Sequence, residues 1–469
     1  MSAGGTATIS GNTYTKNRHS IAADADIHNQ YAAWFNLVLS NVPSYCIPIC
    51  VVEQTFDMHG ANQDNHDDGG IAGNEVDIAW NTFLSNKSDN FDLRGQPCNA
   101  VGSTGGALAF LDSFHNNVSM RNHDQAVQVW DYYAGYLGGG QYYSSTYSPL
   151  IEIQNNQFAD TGYSDPTVSL GPRSLGVGDF DGDGREDVFL ATGAAWYYSP
   201  AGKAEWRYLN GGKTDRIDSL LLGDFDGDGR TDVVGMNPSG QLVVSWGGVS
   251  DWQVLNPNPC PPPIASCNIT DMAVGKFLDH PAGDRRDDLF LADGTNWYLS
   301  SGGSASFSFV NTSSFHRKDV LFGDFDGDGK TDVFGVVFDT QHNVNSWSYT
   351  SGAVGTWIYL TRALTNTVDS LYVADFLGVG RAAVAKVCDS STGFPSTSWC
   401  IAEGAPANWS PYSLGLSSLS VAGVGYFAGR VDANGHPMLA DALLWNGKDF
   451  SISAGGLFPA TPHSTQEMR

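Results

Sequence analysis

The pattern Asp-Phe-Asp-Gly-Asp-Gly-x-x-Asp occurs three times, beginning at Asp179, Asp224 and Asp324. Each copy lies between short runs rich in Val, Leu and Phe: SLGVGDFDGDGREDVFL, SLLLGDFDGDGRTDVVG and VLFGDFDGDGKTDVFG. Three weaker copies complete the series. DMAVGKFLDHPAGDRRDDLFLA has Lys276 in the first position, SLYVADFLGVGRAAVAKV keeps Asp375, and SVAGVGYFAGRVDANGHPMLADALLW has Tyr426. The first positions recur at intervals of roughly 50 residues, a period that belongs to propeller blades or repeat arrays. The second unit reads as four short strands, SLLLGDF, TDVVGM, QLVVSW and DWQVLN, with Gly247-Gly248 as punctuation. One four-stranded sheet cannot bury both of its faces, whereas blades packed around an axis can. The expectation is a mainly β chain: a six- or seven-bladed β-propeller over residues 170–469, preceded by an N-terminal α/β segment over 1–165.

The loop spacing suits a hard divalent cation. Calcium takes six to eight oxygen ligands, and Asp at positions 1, 3 and 5 turns three carboxylates inward. Gly at position 6 permits the bend, position 7 offers a backbone carbonyl, and Asp at position 9 closes the site. The expected ligands are Asp179, Asp181, Asp183, the Arg185 carbonyl and Asp187 in the first loop. They are Asp224, Asp226, Asp228, the Arg230 carbonyl and Asp232 in the second, and Asp324, Asp326, Asp328, the Lys330 carbonyl and Asp332 in the third. An EF-hand needs a bidentate Glu at position 12 between two helices. Here position 12 is Leu190, Gly235 or Gly335, and the flanks are strand-like. The other three units lack the set: Lys276 replaces the first Asp, Leu377, Val379 and Ala383 replace later ligands, and Tyr426 opens the sixth unit. Three calcium sites are expected, with none in units three, five and six.

These residues resemble the FG-GAP (VCBS-type) repeats that form the blades of integrin-α-like propellers. The resemblance covers residues 174–469 and implies that each intact loop lies in a β-hairpin of its blade, rigidified by calcium. The family includes adhesion receptors, lectins and noncatalytic parts of secreted hydrolases. The resemblance implies fold and metal rather than activity; because the chain shows no compelling catalytic set, a secreted calcium-binding module that recognises a glycan or an extracellular protein is the first expectation. The alternative is a secreted metal-dependent hydrolase, phosphodiesterase- or nuclease-like through its N-terminal domain, with the propeller as accessory.

Charge and cysteines set the context. The chain of 469 residues has 24 Lys+Arg against 50 Asp+Glu, a formal net charge of −26. Such a surface offers nucleic acid no basic face. Of seven cysteines, Cys260/Cys267 and Cys388/Cys400 each flank an insertion and are candidate staples, and Cys46, Cys50 and Cys98 lie near the start. Disulfides and sequons at Asn86, Asn117, Asn268, Asn311 and Asn408 fit an oxidising, extracellular compartment. The opening MSAGGTATISGN has neither the basic nor the apolar region of a signal peptide, so secretion implies a leader removed or a start lying upstream. No apolar run is long enough for a membrane span. Trp196, Trp206, Trp246, Trp252, Trp297, Trp347 and Trp357 recur at strand positions, which favours packing between blades over sugar stacking.

The N-terminal segment lacks the repeat. Apolar spacing at Tyr31, Trp34, Phe35 and Leu39 in DADIHNQYAAWFNLVLSNVP suggests a helix, and CIPICVVEQTFD and GGALAFL suggest buried strands. His59, Asp64, His66, Asp67, Asp68 and Glu75 form a His/carboxylate cluster, readable as a solvated loop or as a metal site. A faint resemblance to the endonuclease/exonuclease/phosphatase fold rests on Glu53-Gln54 at a strand end and on Tyr163-Ser164-Asp165. The pair stands in reversed order, and Pro166 follows Asp165 where that family has His. A truncated or inactive copy is what that resemblance implies. The last unit looks short of a fourth strand after Ser453–Gly456, which residues near 165–174 could supply.

Overall fold

The computed structural model describes residues 175–414 with short breaks (204–205, 263, 265, 282–283 and 404–406), and then 420–429, 439–445, 450–453 and 461–462. Before these it describes 6–15, 21–23, 29–39, 45–46, 50–51, 56–58, 74–84, 91–94, 111–120, 128–130, 134–138, 141–144 and 150–159.

From Leu175 onward the chain forms six consecutive four-stranded antiparallel sheets, each from one contiguous stretch. Blade 1 spans 175–211, blade 2 221–256, blade 3 272–312, blade 4 320–362, blade 5 372–413 and blade 6 420–462. Blade 2 shows the plan: Leu221–Gly223, Asp232–Met236, Leu242–Ser245 and Gln253–Asn256 pair in chain order. The count is six, and the outermost strand of blade 6 is Thr461–Pro462. The C-terminal stretch itself thus completes the last sheet, in place of the expected contribution from 165–174.

Adjacent blades are tied by a repeated backbone bond near the axis. The amide of the residue just before each closing position donates to the first-position carbonyl of the preceding blade. These bonds are Thr231 to Asp179 (2.6 Å), Asp287 to Asp224 (2.6 Å), Thr331 to Lys276 (2.7 Å), Ala382 to Asp324 (2.6 Å) and Ala440 to Asp375 (2.9 Å). Glu186 to Tyr426 (3.3 Å) closes the ring between blades 1 and 6, and the Tyr426 amide donates back to Glu186 Oε2 at 2.7 Å. Gly178 and Gly425 lie where the next blade approaches most closely: a Cβ on Gly178 would run into Thr231, and one on Gly425 into Glu186.

The tryptophans fill the seams. Trp196, Trp297, Trp347 and Trp399 are fully buried. Three of them meet a tryptophan of the following blade edge-on: Trp196 with Trp252 (5.4 Å), Trp297 with Trp357 (5.7 Å) and Trp347 with Trp409 (5.6 Å). Trp206 is buried too, while Trp246, Trp252 and Trp357 are half-buried. Edge-on contact suits the ring quadrupoles, and each such pair adds roughly 0.5–1.5 kcal/mol to simple burial. The insertions of blades 2–3 and 5 are stapled by Cys260–Cys267 and Cys388–Cys400.

The N-terminal segment differs from expectation. Its described residues contain no α-helix. Besides two short antiparallel pairs, Tyr45–Cys46 with Cys50–Val51 and Ala134–Gly138 with Gln141–Ser144, they form three parallel sheets whose strands succeed one another rung by rung, a β-solenoid. One sheet holds Thr6–Ser10, Asn29–Trp34, Asn74–Ala79, Leu111–His115 and Leu150–Gln154. The next holds Thr13–Thr15, Leu37–Leu39, Thr82–Leu84, Val118–Met120 and Gln157–Ala159. The third holds Ile21–Ala23, Phe56–Met58, Phe91–Arg94 and Gln128–Trp130.

The expected helix fails at Phe35. Asn29–Trp34 is a strand, Phe35 takes a left-handed turn (φ 58°), and Leu37–Leu39 is a new strand. The turn resets the alternation of faces, so two short strands imitate a helical spacing. The same corner recurs with Gly11, Trp80, Asn116 and Asn155 at positive φ, each followed by Asn. Those Asn side chains stack into a ladder. Asn36 donates its amide N–H to Asn81 Oδ1 (2.9 Å), Asn81 to Asn117 Oδ1 (2.8 Å) and Asn117 to Asn156 Oδ1 (2.8 Å). From Asn36 onward each Nδ2 donates to a carbonyl of the rung before it, as Asn81 does to Ala33 (2.7 Å) and Asn117 to Ile78 (2.9 Å). Asn117 is fully buried in this ladder, which removes it from the accessible sequons.

Solenoid and propeller are packed together. Leu37 enters the core cluster shared by blades 1 and 6. Tyr197 Oη donates to the Phe35 carbonyl (2.8 Å), Thr13 Oγ1 to the Trp206 carbonyl (2.7 Å), and Thr82 Oγ1 to Thr192 Oγ1 (2.8 Å).

Candidate metal centre

Each intact loop leaves the innermost strand of its blade and re-enters on the second. In loop 1 the Gly182 and Gly184 amides donate to the two oxygens of Asp179 (2.7 and 2.8 Å), which wraps the chain around that carboxylate. Both glycines have positive φ, 77° and 83°. The loops of blades 2 and 4 repeat this around Asp224 and Asp324. The closing Asp is buried and ties the loop to the blade: Asp187 accepts the Phe180 amide on one oxygen (2.8 Å) and the Ala201 amide on the other (2.7 Å). Asp232 does so with Phe225 and Gly247, and Asp332 with Phe325 and Gly352.

The result is three carboxylate triads: Asp179/Asp181/Asp187, Asp224/Asp226/Asp232 and Asp324/Asp326/Asp332. In each, one oxygen per residue lies within 4.8 Å of the others. These are positions 1, 3 and 9 of the motif. The position-5 residues Asp183, Asp228 and Asp328 are exposed, and each accepts the amide of the residue two further on, Arg185, Arg230 or Lys330 (2.7–2.8 Å).

Burial raises the closing carboxyls, helped by repulsion from the neighbouring acids and opposed by their two amide bonds. Asp187 and Asp232 are pushed up to about 7 and Asp332 to about 6. Asp179 and Asp224 are raised by burial as well. Asp181 Oδ1 is buried with no hydrogen-bond partner. A buried, partnerless carboxylate oxygen among two more carboxylates is an unfavourable arrangement that a bound cation relieves. The residues present therefore fit a hard metal ion: the three clusters could hold one each.

The other blades solve the same position differently. In blade 3 the closing Asp288 is kept and fully buried, but His280 fills the space between acids. Its Nε2 lies 2.9 Å from Asp288 Oδ1 and its Nδ1 3.4 Å from Asp284 Oδ2. Arg286 holds Asp284 at 2.7 Å and keeps its carboxyl well below the usual range. Lys276 is exposed. In blade 5 Asp375 accepts the Val379 and Gly380 amides (3.0 and 2.8 Å), so the loop fold survives with a single carboxylate. In blade 6 Asp441 accepts the Ala428 amide (3.0 Å).

Two features escaped the sequence reading. The first is the residue before each closing Asp. Thr231 Oγ1, Asp287 Oδ2 and Thr331 Oγ1 accept the first-position amides of the preceding blades, as Glu186 does for Tyr426. The recurring polar residue at that place, as in Glu186-Asp187 and Thr231-Asp232, was its signal. The second is His280, whose blade looked merely degenerate. Of the N-terminal candidates, Glu53, Gln54, His59, Asp64, His66, Asp67, Asp68 and 163–166 lie outside the described residues, and Glu75 is placed only as part of the strand Asn74–Ala79.

Two cavities flank the propeller axis on the loop side. One, of about 440 Å³, lies among blades 4 to 6 and reaches Glu186, with Asp324, Asp375, Arg381 and Tyr426 in its wall. The other, of about 390 Å³, lies across blades 1 to 3.

Residues 179–235 match the FG-GAP-like repeat family. No curated protein matches the chain. Among solved structures, the chain is similar to an Agrocybe aegerita lectin that recognises non-reducing terminal N-acetylglucosamine (15% identity, 61% of this chain and 78% of that one, TM-score 0.40). It is also similar to YCF48 from Cyanidioschyzon merolae (8%, 62% and 85%, TM-score 0.34). A third is the extracellular domain of a hybrid two-component system from B. thetaiotaomicron (10%, 61% and 34%, TM-score 0.33). From Leu175 onward the chain is a six-bladed β-propeller, with an FG-GAP-like repeat over 179–235.

Proposed function

We propose that this is an extracellular, calcium-binding propeller that serves as a binding or adhesion module for a glycan or a protein, with calcium in a structural role. The observation that carries the metal reading is the triad geometry: three carboxylates converge in each of three loops, and Asp181 Oδ1 is buried without a partner. Oxygen-only donors favour calcium or magnesium over softer ions, and an irregular set of carboxylates and a carbonyl suits calcium, which does not demand ideal octahedral geometry. Bound there, the ion neutralises the triad and clamps the loop to its blade. Two disulfides support an oxidising compartment, and among the described residues no helix is long and apolar enough to cross a membrane. Screening against a glycan array with calcium and after chelation tests the binding role. Calcium-dependent retention of a defined glycan class is the expected result. A blank array, together with no protein captured at a cell surface, would contradict it.

A further inference from the structure

The chain carries 26 more acids than bases, yet the cavity across blades 1 to 3 gathers four basic side chains: Arg185, Arg230, Lys276 and Arg285. All four are exposed, and none forms an ion pair among the described residues. The acids in the same wall are already engaged. Both oxygens of Asp179 accept the Gly182 and Gly184 amides, and both of Asp224 accept those of Gly227 and Gly229. Asp287 accepts the Asp224 amide, and Glu186 accepts that of Tyr426. These four carboxylates balance the four cations in formal charge, and calcium held by the Asp179 and Asp224 loops would leave the cations in excess. The volume, about 390 Å³, lies in the range that encloses a small organic molecule.

We propose that this cavity is a binding site for an oxyanion-bearing small molecule or sugar residue, one with a carboxylate, sulfate or phosphate group. Its chemistry comes from three blades at once. Arg185 is supplied by the loop of blade 1, Arg230 by that of blade 2, and Lys276 and Arg285 by the divergent loop of blade 3. Guanidinium groups bind such anions through paired N–H donors, and Lys276 adds a point charge where the intact loops have Asp. Loss of the first ligand in blade 3 is thus also the gain of a cation in the cavity wall. Once calcium neutralises the Asp179 and Asp224 loops, a cleft whose cations outnumber its remaining acids, inside a negative surface, draws anions locally. The proposal places a ligand on the binding-module reading above, and its test separates the two.

The test is calorimetric titration of the calcium-loaded full chain with glucuronate, glucose 6-sulfate and glucose 6-phosphate, with glucose as the neutral control. Saturable binding of at least one charged sugar and none of glucose is expected, and the three anions identify the preferred group. Arg230→Gln and Lys276→Gln should each weaken binding about tenfold, the cost of one charge-assisted contact. Arg362→Gln, on an exposed outer strand of blade 4, should leave it unchanged. Melting temperatures of the variants establish that they fold. Equal affinity in all variants, or no charged sugar bound, overturns the proposal. A neutral glycan retained on the array alongside that result would leave the binding module standing without this site.

Discussion

Asp187, Asp232 and Asp332 each hold a loop through two amide bonds while facing two further carboxylates, and their raised pKa values record the conflict. An unfolded Asp titrates near 3.9. The metal-free folded chain retains protons up to about 7 at Asp187 and Asp232 and about 6 at Asp332. Its protonated closing carboxyls contribute stability that is full below about pH 4 and is lost as pH rises towards 7. A bound cation takes the place of those protons, so calcium and protons compete. Thermal melts in EDTA and in calcium between pH 5 and 8 should therefore show a gap that widens with pH. A constant gap would contradict the competition. His280 belongs to the same scale. Both of its ring nitrogens face carboxylates, so the imidazole bridges Asp284 and Asp288 in blade 3. His280→Gln should cost about 1–3 kcal/mol in calcium and in EDTA alike. A loss seen only in EDTA would show that blade 3 depends on metal instead.

Among the elements, the solenoid corner is where sequence and structure part. The propeller blades were legible because one local motif, with glycines at loop positions that need positive φ, repeats at near-constant spacing. The triads were legible for the same reason, and the position-5 carboxylates accept an amide of their own loop. The solenoid was not, because its rungs vary in length and its signal is two residues wide: Phe35-Asn36, Trp80-Asn81, Asn116-Asn117 and Asn155-Asn156. Large rings at a left-handed corner run against backbone preference, by roughly 1–2 kcal/mol each, so neither Phe35 nor Trp80 reads as a turn. The Asn ladder offsets that cost by meeting the backbone groups the corners expose. Asn81 is fully buried and bonded to rungs on both sides. Asn81→Ala should lower stability by about 2–4 kcal/mol in urea unfolding, while Asn12→Ala, at the exposed end of the ladder, should cost less than about 1 kcal/mol. Equal losses would mean the ladder does not act as a buried network.

At the scale of the whole molecule, the ring closes without exchanging a strand. Blades 1 and 6 meet through Glu186 and Tyr426 and through a shared apolar cluster that also takes in Leu37 of the solenoid. Glu186→Ala should therefore speed amide exchange in blades 1 and 6 ahead of blades 3 and 4. Uniform exchange across the blades would contradict that seam's being the weak point. The three triads lie near the axis in blades 1, 2 and 4, where each loop also carries the bond to the next blade. Metal there would brace the ring as well as the individual hairpins. The most direct measurement is calcium titration of the chelated chain, read by heat and by melting temperature. The account predicts three calcium ions per chain, a melting temperature that falls in EDTA and returns with calcium, and two ions in Asp226→Asn. An unchanged melting temperature in EDTA, or a stoichiometry that Asp226→Asn does not alter, would contradict it.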